Sequence, residues 1–239
     1  MSYQQKDGLG RLTLDDGKAN AMQLAWCDEL NQVLDQVERD PCHALVIEGR
    51  PGFFSAGLDL KVLPVLPPDE LRKTTERFVA TMRRVFLFPK PVIAASAGHA
   101  IAGGMMLYLA ADIRLAWDDE TSTYGLNEAT TGIPLLGGTA GLCQYSIPQA
   151  HHTEMILHGR ILCARETHAR GITHELAETP AQLIEFACRR ARALENIDLN
   201  AYRINKLILR KRAFETAVEV AEELASEVPT HNVFEKLRR

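Results

Sequence analysis

The sequence lacks an excess of basic residues. Its 239 residues include 27 Lys and Arg against 31 Asp and Glu, so the formal net charge is −4 with histidine neutral. A chain without a large basic field has no surface suited to holding a phosphodiester backbone. We therefore expect no nucleic-acid partner.

Long apolar runs are also missing. The most apolar stretch, 91–111, is broken by polar residues and glycines at Ser96, Gly98, His99, Gly103 and Gly104, whereas a membrane-spanning helix needs about 20 consecutive apolar residues. The N-terminal segment is polar and shows the pattern of neither a secretory signal nor a transit peptide. We expect no membrane association and a cytoplasmic location.

Cysteine is scarce and follows no pairing pattern. The five cysteines form an odd set without a CxxC pair, which is typical of reduced thiols in a cytosolic protein. His151 and His152 are adjacent, but no metal-ligand spacing accompanies them. The sequence thus predicts no metal site.

Apolar segments alternate between strand-like and helix-like spacing in the first two thirds of the chain, which predicts an α/β fold with a largely parallel sheet. The predicted strands are 9–14, 44–47, 92–96 and 113–116, and the helices between them are 24–37, 69–88 and 105–111. Strand signals nearly vanish after Pro148, and the predicted helices there are 181–195, 199–211 and 214–227. We place an α/β core at 1–148 and a helical region at 149–239.

Two turns of small residues each precede a predicted helix. They lie in Phe53–Leu60 (FFSAGLDL) and Gly98–Gly104 (GHAIAGG). Such turns expose backbone N–H groups that can stabilise an oxyanion, although one glycine turn alone is most often a simple connection. A carboxylate follows at Glu128, in a segment with few charges, where burial would raise its pKa toward that of a general base.

Taken together, FFSAGLDL, GHAIAGG, ADIRLA and GLNEATTGIP resemble motifs of the crotonase, or enoyl-CoA hydratase/isomerase, superfamily. The resemblance covers nearly the whole chain. It implies a crotonase-like spiral of ββα units with C-terminal helices that mediate assembly into a homotrimer or a dimer of trimers. It also implies an acyl-CoA thioester substrate, with no separate cofactor because CoA is part of that substrate.

Carried over position by position, the resemblance assigns the oxyanion hole to the backbone N–H groups of Leu58 and Gly103, and the catalytic acid or base to Glu128. The residues that it implies for substrate binding are Ala19, Ala21, Ser55, Ala56, Gly57, Lys61, Gly104, Met106 and Ile133.

One position departs from the hydratase pattern. Hydratases of the family use two glutamates, and the first of these positions is Met106 here, whose thioether cannot take a proton from water. The string GLNE around Glu128 instead resembles isomerases that convert 3-enoyl-CoA to 2-enoyl-CoA with one base. Alternatives are a hydratase or an acyl-CoA hydrolase that uses Glu128 alone, and a CoA-thioester-binding protein without activity.

Overall fold

The computed structural model describes residues 1–224 and contains two β-sheets surrounded by helices. The six-stranded sheet has the order β1-β2-β3-β5-β7-β10, and the four-stranded sheet has the order β4-β6-β8-β9. The strands are β1 (Ser2–Lys6), β2 (Leu9–Leu14), β3 (Ala44–Gly49), β4 (Gly52–Ser55), β5 (Val92–Ser96), β6 (Gly98–Ile101), β7 (Ile113–Trp117), β8 (Thr123–Gly125), β9 (Leu162–Cys163) and β10 (Glu175–Ala177).

Helices form at all the predicted positions, and three short α-helices lie at further positions in residues 1–224. The α-helices are α1 (Leu24–Arg39), α2 (Pro68–Phe86), α3 (Gly103–Ala110), α4 (Glu128–Thr131), α5 (Thr139–Ser146), α6 (Ala164–Ala169), α7 (Pro180–Arg192) and α8 (Leu199–Glu223). In α1 the buried residues recur at helical spacing, whereas every residue of α3 is buried, which explains the apolar composition of α3. Within residues 1–224, no helix is both long and apolar enough to cross a membrane.

Three consecutive units share one arrangement. In β3-β4-α2, β5-β6-α3 and β7-β8-α4, the first strand joins the six-stranded sheet, the second joins the four-stranded sheet, and a helix follows. Successive units pair in parallel: β3 pairs with β5 and β5 with β7 in one sheet, and β4 pairs with β6 and β6 with β8 in the other. The spiral of ββα units expected from the resemblance is therefore confirmed.

The sheets depart from the sequence predictions in three places. The turns expected around 52–57 and 98–104 begin as strands β4 and β6, which contain glycine and are only four residues long. The predicted strand 9–14 is β2, and it forms an antiparallel hairpin with β1, which was not predicted. Asp7 and Gly8, with φ of 51° and 72°, join the two strands. Strand signals so short are hard to recognise from periodicity alone.

The predicted division at 148 does not coincide with an edge of the sheets. Strands β9 and β10 lie beyond it, and they pair with β8 and β7 respectively. The helices predicted at 199–211 and 214–227 form the single helix α8, and residues 225–227 of the second prediction lie outside the described residues. The sheets are thus completed by two short strands from the region in which strand signals nearly vanish and which was predicted as mainly helical.

A buried ion cluster holds α8 against the core. The Asp112 carboxylate accepts hydrogen bonds from the Val92 N–H at 2.7 Å and from Lys206 Nζ at 2.8 Å, and it pairs with Arg210 at 2.9 Å. The Lys206 side chain is 3% exposed and that of Asp112 is 13% exposed. Burial lowers the pKa of Lys206 to about 8, and the Asp112 carboxylate opposes this shift.

Removing Asp112 would leave the Lys206 ammonium buried without its anionic partner. We expect Asp112→Ala to lower the free energy of unfolding by about 3–5 kcal/mol, measured by urea denaturation at pH 7. The double variant Asp112→Ala/Lys206→Met, which contains no unpaired lysine, should recover part of this loss. A loss below about 1 kcal/mol in the single variant would contradict the proposed anchoring role.

Candidate active site

Two backbone turns meet in direct contact at the centre of the site. Gly57 has a φ of +81°, and a Cβ atom built there would lie 2.6 Å from the nitrogen of Gly103, so only glycine fits. The N–H groups of Leu58 and Gly103 donate to no acceptor within residues 1–224. The close approach therefore brings two free backbone donors near each other.

A buried hydroxyl and amide fix the first turn. Ser55 Oγ donates to the carbonyl of Asn20 at 2.7 Å and accepts from the N–H of Gly57 at 3.1 Å. The Asn20 side chain donates to the carbonyl of Phe54 at 3.1 Å, and its backbone adopts a positive φ of 50°, which asparagine tolerates. This network locks the segment around Asn20 to the turn at Gly57.

A short parallel bridge fixes Leu58 itself. The N–H of Met22 donates to the carbonyl of Gly57 at 2.8 Å, and the N–H of Asp59 donates to the carbonyl of Met22 at 3.0 Å. Both neighbours of Leu58 are held in this way while its own N–H stays free. The Asp59 side chain accepts from Gln23 and from the Lys61 N–H, so it stabilises the turn.

The start of α3 orients the second donor. The carbonyl of Ala102 accepts the first helical hydrogen bond from the Met106 N–H at 3.0 Å. In a trans peptide the N–H points opposite to the carbonyl, so the N–H of Gly103 points away from the helix. A Cβ on Gly104 would lie 2.0 Å from the carbonyl oxygen of Ser55, so glycine is needed where the two turns pack.

Glu128 is the first residue of α4 and lies three residues after the end of β8. It is 7% exposed, and its Oε2 atom has no hydrogen-bond partner in the structure. Burial raises the pKa of Glu128 to about 7, and its own backbone N–H opposes this shift by hydrogen bonding to the carboxylate. A carboxylate with this pKa can accept and return a proton near neutral pH.

A cavity of about 60 Å³ connects these features. Its lining is mostly apolar and comprises Ala56, Leu58, Leu60, Phe78, Ala102, Gly103, Met106, Asn127, Glu128, Thr131, Ile133, Pro134 and Leu136. Among residues 1–224, Glu128 is the only carboxylate in this lining. The cavity thus combines a single base with two backbone donors in apolar surroundings.

The structure brings together six of the residues predicted for the site. Ala56, Leu58, Gly103, Met106, Glu128 and Ile133 all line the cavity. Three others, Ser55, Gly57 and Gly104, are buried where the turns pack and are not part of the lining, and their predicted contact with substrate stays a prediction. Ala19, Ala21 and the exposed Lys61 lie outside the lining, and their predicted contacts with CoA stay predictions.

Several lining residues were missed by sequence reasoning. Phe78 comes from the buried face of α2, far in the sequence from any of the motifs, and Leu136 lies two residues beyond the end of the GLNEATTGIP motif. The apolar spacing of α2 indicated only that Phe78 is buried. Asn127 directly precedes Glu128, and Thr131 follows it by three residues, which is about one turn of a helix. Had a helix been predicted from Glu128, this spacing would have placed Thr131 on the same side as Glu128.

Comparison with known proteins supports the family. The Enoyl-CoA hydratase/isomerase family model matches residues 4–236. A Bacillus subtilis protein named "Probable enoyl-CoA hydratase" is 36% identical over 74% of this chain and 68% of its own length. Hydratase names dominate among the relatives.

Solved structures agree. One Mycobacterium tuberculosis protein is titled a probable enoyl-CoA hydratase in one structure (28% identity, 97% of both chains, TM-score 0.87). It is titled an enoyl-CoA isomerase in another (30% identity, 95% of this chain and 97% of that chain, TM-score 0.83). A human mitochondrial delta3-delta2-enoyl-CoA isomerase, 21% identical over 96% of this chain and 92% of its own with a TM-score of 0.83, shares the fold. With the paired turns and the ββα spiral, these matches show that the chain belongs to the enoyl-CoA hydratase/isomerase family of the crotonase superfamily.

Proposed function

We propose that this protein isomerises 3-enoyl-CoA to 2-enoyl-CoA with Glu128 as its single base. The observation that carries the proposal is the composition of the cavity, in which Glu128 is the only carboxylate among the described lining residues. Met106, at the place of the first of the two glutamates of hydratases, is 3% exposed and contributes an apolar thioether.

The mechanism requires one proton to move between two carbons. The thioester carbonyl accepts hydrogen bonds from the N–H groups of Leu58 and Gly103, which makes the C2 proton more acidic. The Glu128 carboxylate takes that proton, and the electron pair delocalises from C2 through C3 and C4 and onto the carbonyl oxygen. The carboxylic acid of Glu128 then returns the proton to C4, and the double bond forms between C2 and C3.

Hydration of 2-enoyl-CoA is the second candidate, because hydratase names dominate among the relatives. That reaction requires the activation of water as well as delivery of a proton to C2. With Met106 in place of a carboxylate, Glu128 alone would have to serve both steps. Among the described lining residues no second carboxylate is present to share these two steps.

We also propose that the protein assembles as a homotrimer or a dimer of trimers and that it is located in the cytoplasm. Helix α8 exposes large apolar side chains, with Ile208 73% exposed and Leu209 64% exposed. Contiguous exposed apolar residues of this kind mark interfaces between proteins. A second copy of this chain is the partner that fits the helical region.

The first prediction from the proposed function concerns the base. We expect Glu128→Gln to reduce C2 proton exchange in deuterated buffer by a factor on the order of 10²–10⁴, while the Kd for butanoyl-CoA stays within about threefold. In the unmodified enzyme kcat/KM should rise with pH through about 7, since the carboxylate form is the active one and its pKa is raised to about 7. The control is Glu120→Gln, which changes an exposed glutamate. Proton exchange at the unmodified rate in Glu128→Gln would exclude Glu128 as the base.

The second prediction concerns the reaction. Parallel assays on 3-enoyl-CoA and 2-enoyl-CoA should show double-bond migration from the first and little 3-hydroxyacyl-CoA from the second. Met106→Glu should raise hydration from this low level, but only in part, because burial would raise the pKa of the new carboxyl. The matched control is Met106→Gln, which should not gain hydration. Efficient hydration without migration in the unmodified protein would favour the hydratase.

The third prediction concerns assembly. Light scattering at micromolar protein concentration should give the mass of a trimer or a hexamer. Ile208→Glu should shift the mass toward that of the monomer, because it places a charge in the proposed apolar contact. The control Lys73→Glu, on the exposed surface of α2, should leave the mass unchanged. A monomeric mass for the unmodified chain contradicts the proposal.

A further inference from the structure

Ala102 has a backbone conformation that alanine rarely adopts. It caps the N-terminus of α3 with φ 50° and ψ −122°, a region that is populated almost only by glycine. Gly103 and Gly104 follow directly, so the strained position is the one residue of this turn that carries a side chain.

The hydrogen bonds of this turn do not need the methyl group. The Ala102 N–H donates to the carbonyl of Gly125 at 2.9 Å, and the Ala102 carbonyl accepts from the Met106 N–H. Both bonds use the backbone alone, and a glycine would make them without strain. Ala102 is also only half-buried where it lines the cavity, so its methyl group contributes less packing than a buried core methyl. Stability therefore does not explain the alanine.

The methyl group lies beside the two backbone donors. Its carbon is 3.1 Å from the position that a Cβ on Gly57 would occupy, and that same position is 2.6 Å from the nitrogen of Gly103. Ala102 also precedes Gly103 directly and lines the same cavity as Glu128 and Met106. In the proposed function, a thioester whose carbonyl oxygen is held by Leu58 and Gly103 places its C2 carbon in this cavity, where Glu128 takes the proton and the Ala102 methyl group forms part of the wall.

We propose that Ala102 is a specificity-determining residue whose methyl group narrows the cavity beside the Leu58 and Gly103 N–H groups and selects acyl-CoA thioesters that carry no substituent on C2. This inference rests on the acyl-CoA site of the proposed function. It does not depend on whether the enzyme moves a double bond or adds water, because both reactions place C2 at the same point.

The test compares binding of two saturated thioesters that contain the same number of carbons. Butanoyl-CoA has an unbranched C2, and 2-methylpropanoyl-CoA has a methyl branch there, so the two bury similar apolar area. Calorimetry on the full-length protein should show at least about tenfold tighter binding of butanoyl-CoA, the scale of discrimination that one misplaced methyl group produces in a fitted pocket. Equal affinity for the two ligands in the unmodified protein would overturn the proposal.

Two variants assign the discrimination to Ala102. Ala102→Gly should narrow the ratio of the two Kd values at least about fivefold and leave the thermal midpoint equal or higher, since the strain is relieved. Ala102→Ser keeps a Cβ atom at the same place and should keep the ratio. If the ratio of the two Kd values is unchanged in Ala102→Gly, the methyl group of Ala102 does not determine this specificity and the proposal is wrong. Because the ligands do not react, the outcome is separate from the isomerase assay: failure of double-bond migration would leave this discrimination measurable.

Discussion

The close approach of the turns at Gly57 and Gly103 is the constraint on which the site depends. Both turns must leave a backbone N–H without a protein acceptor, and an unpaired donor that is buried costs about 1–3 kcal/mol. The network of Asn20 and Ser55 on one side, and the buried helix α3 on the other, hold these donors in place. Because the donors are fixed before substrate arrives, an oxyanion can be stabilised without reorganisation of the protein.

The apolar cavity has two linked effects on Glu128. It removes the carboxylate from water, which raises its pKa to about 7, and it offers Oε2 no hydrogen bond. The folded-state pKa thus exceeds the ordinary value, so the unfolded chain ionises first as the pH rises. The contribution of this group to stability is fully present at acidic pH and decreases as the pH rises toward about 7. The base is therefore gained at a cost in stability, as in other functional sites.

The sequence allowed much of this arrangement to be predicted, for identifiable physical reasons. Strands such as β3, buried on both faces, form continuous apolar runs, and α1 and α2 carry clear helical spacing. The four-stranded sheet was missed because β4, β6, β8 and β9 have two to four residues each and no periodicity can develop over that length. Glu128 and the two turns were found from local motifs, whereas Phe78 joins the cavity only through the packing of α2 against the core, which no local pattern records.

Backbone donors and side chains have different roles in this site, and that difference limits what sequence change can do. The N–H groups of Leu58 and Gly103 belong to the main chain, so the proposed oxyanion hole tolerates many side chains provided that the glycines at the contact remain. The choice of reaction and substrate must then depend on the few side chains that reach the cavity. Met106 leaves Glu128 without a second carboxylate, and Ala102 adds a methyl group beside the donors. Each can change without disturbing the sheets, because the hydrogen bonds that build the turn are made by the backbone. Under the proposed function, one scaffold supports isomerisation or hydration, because the residue at position 106 on α3 determines whether the cavity holds a second carboxylate.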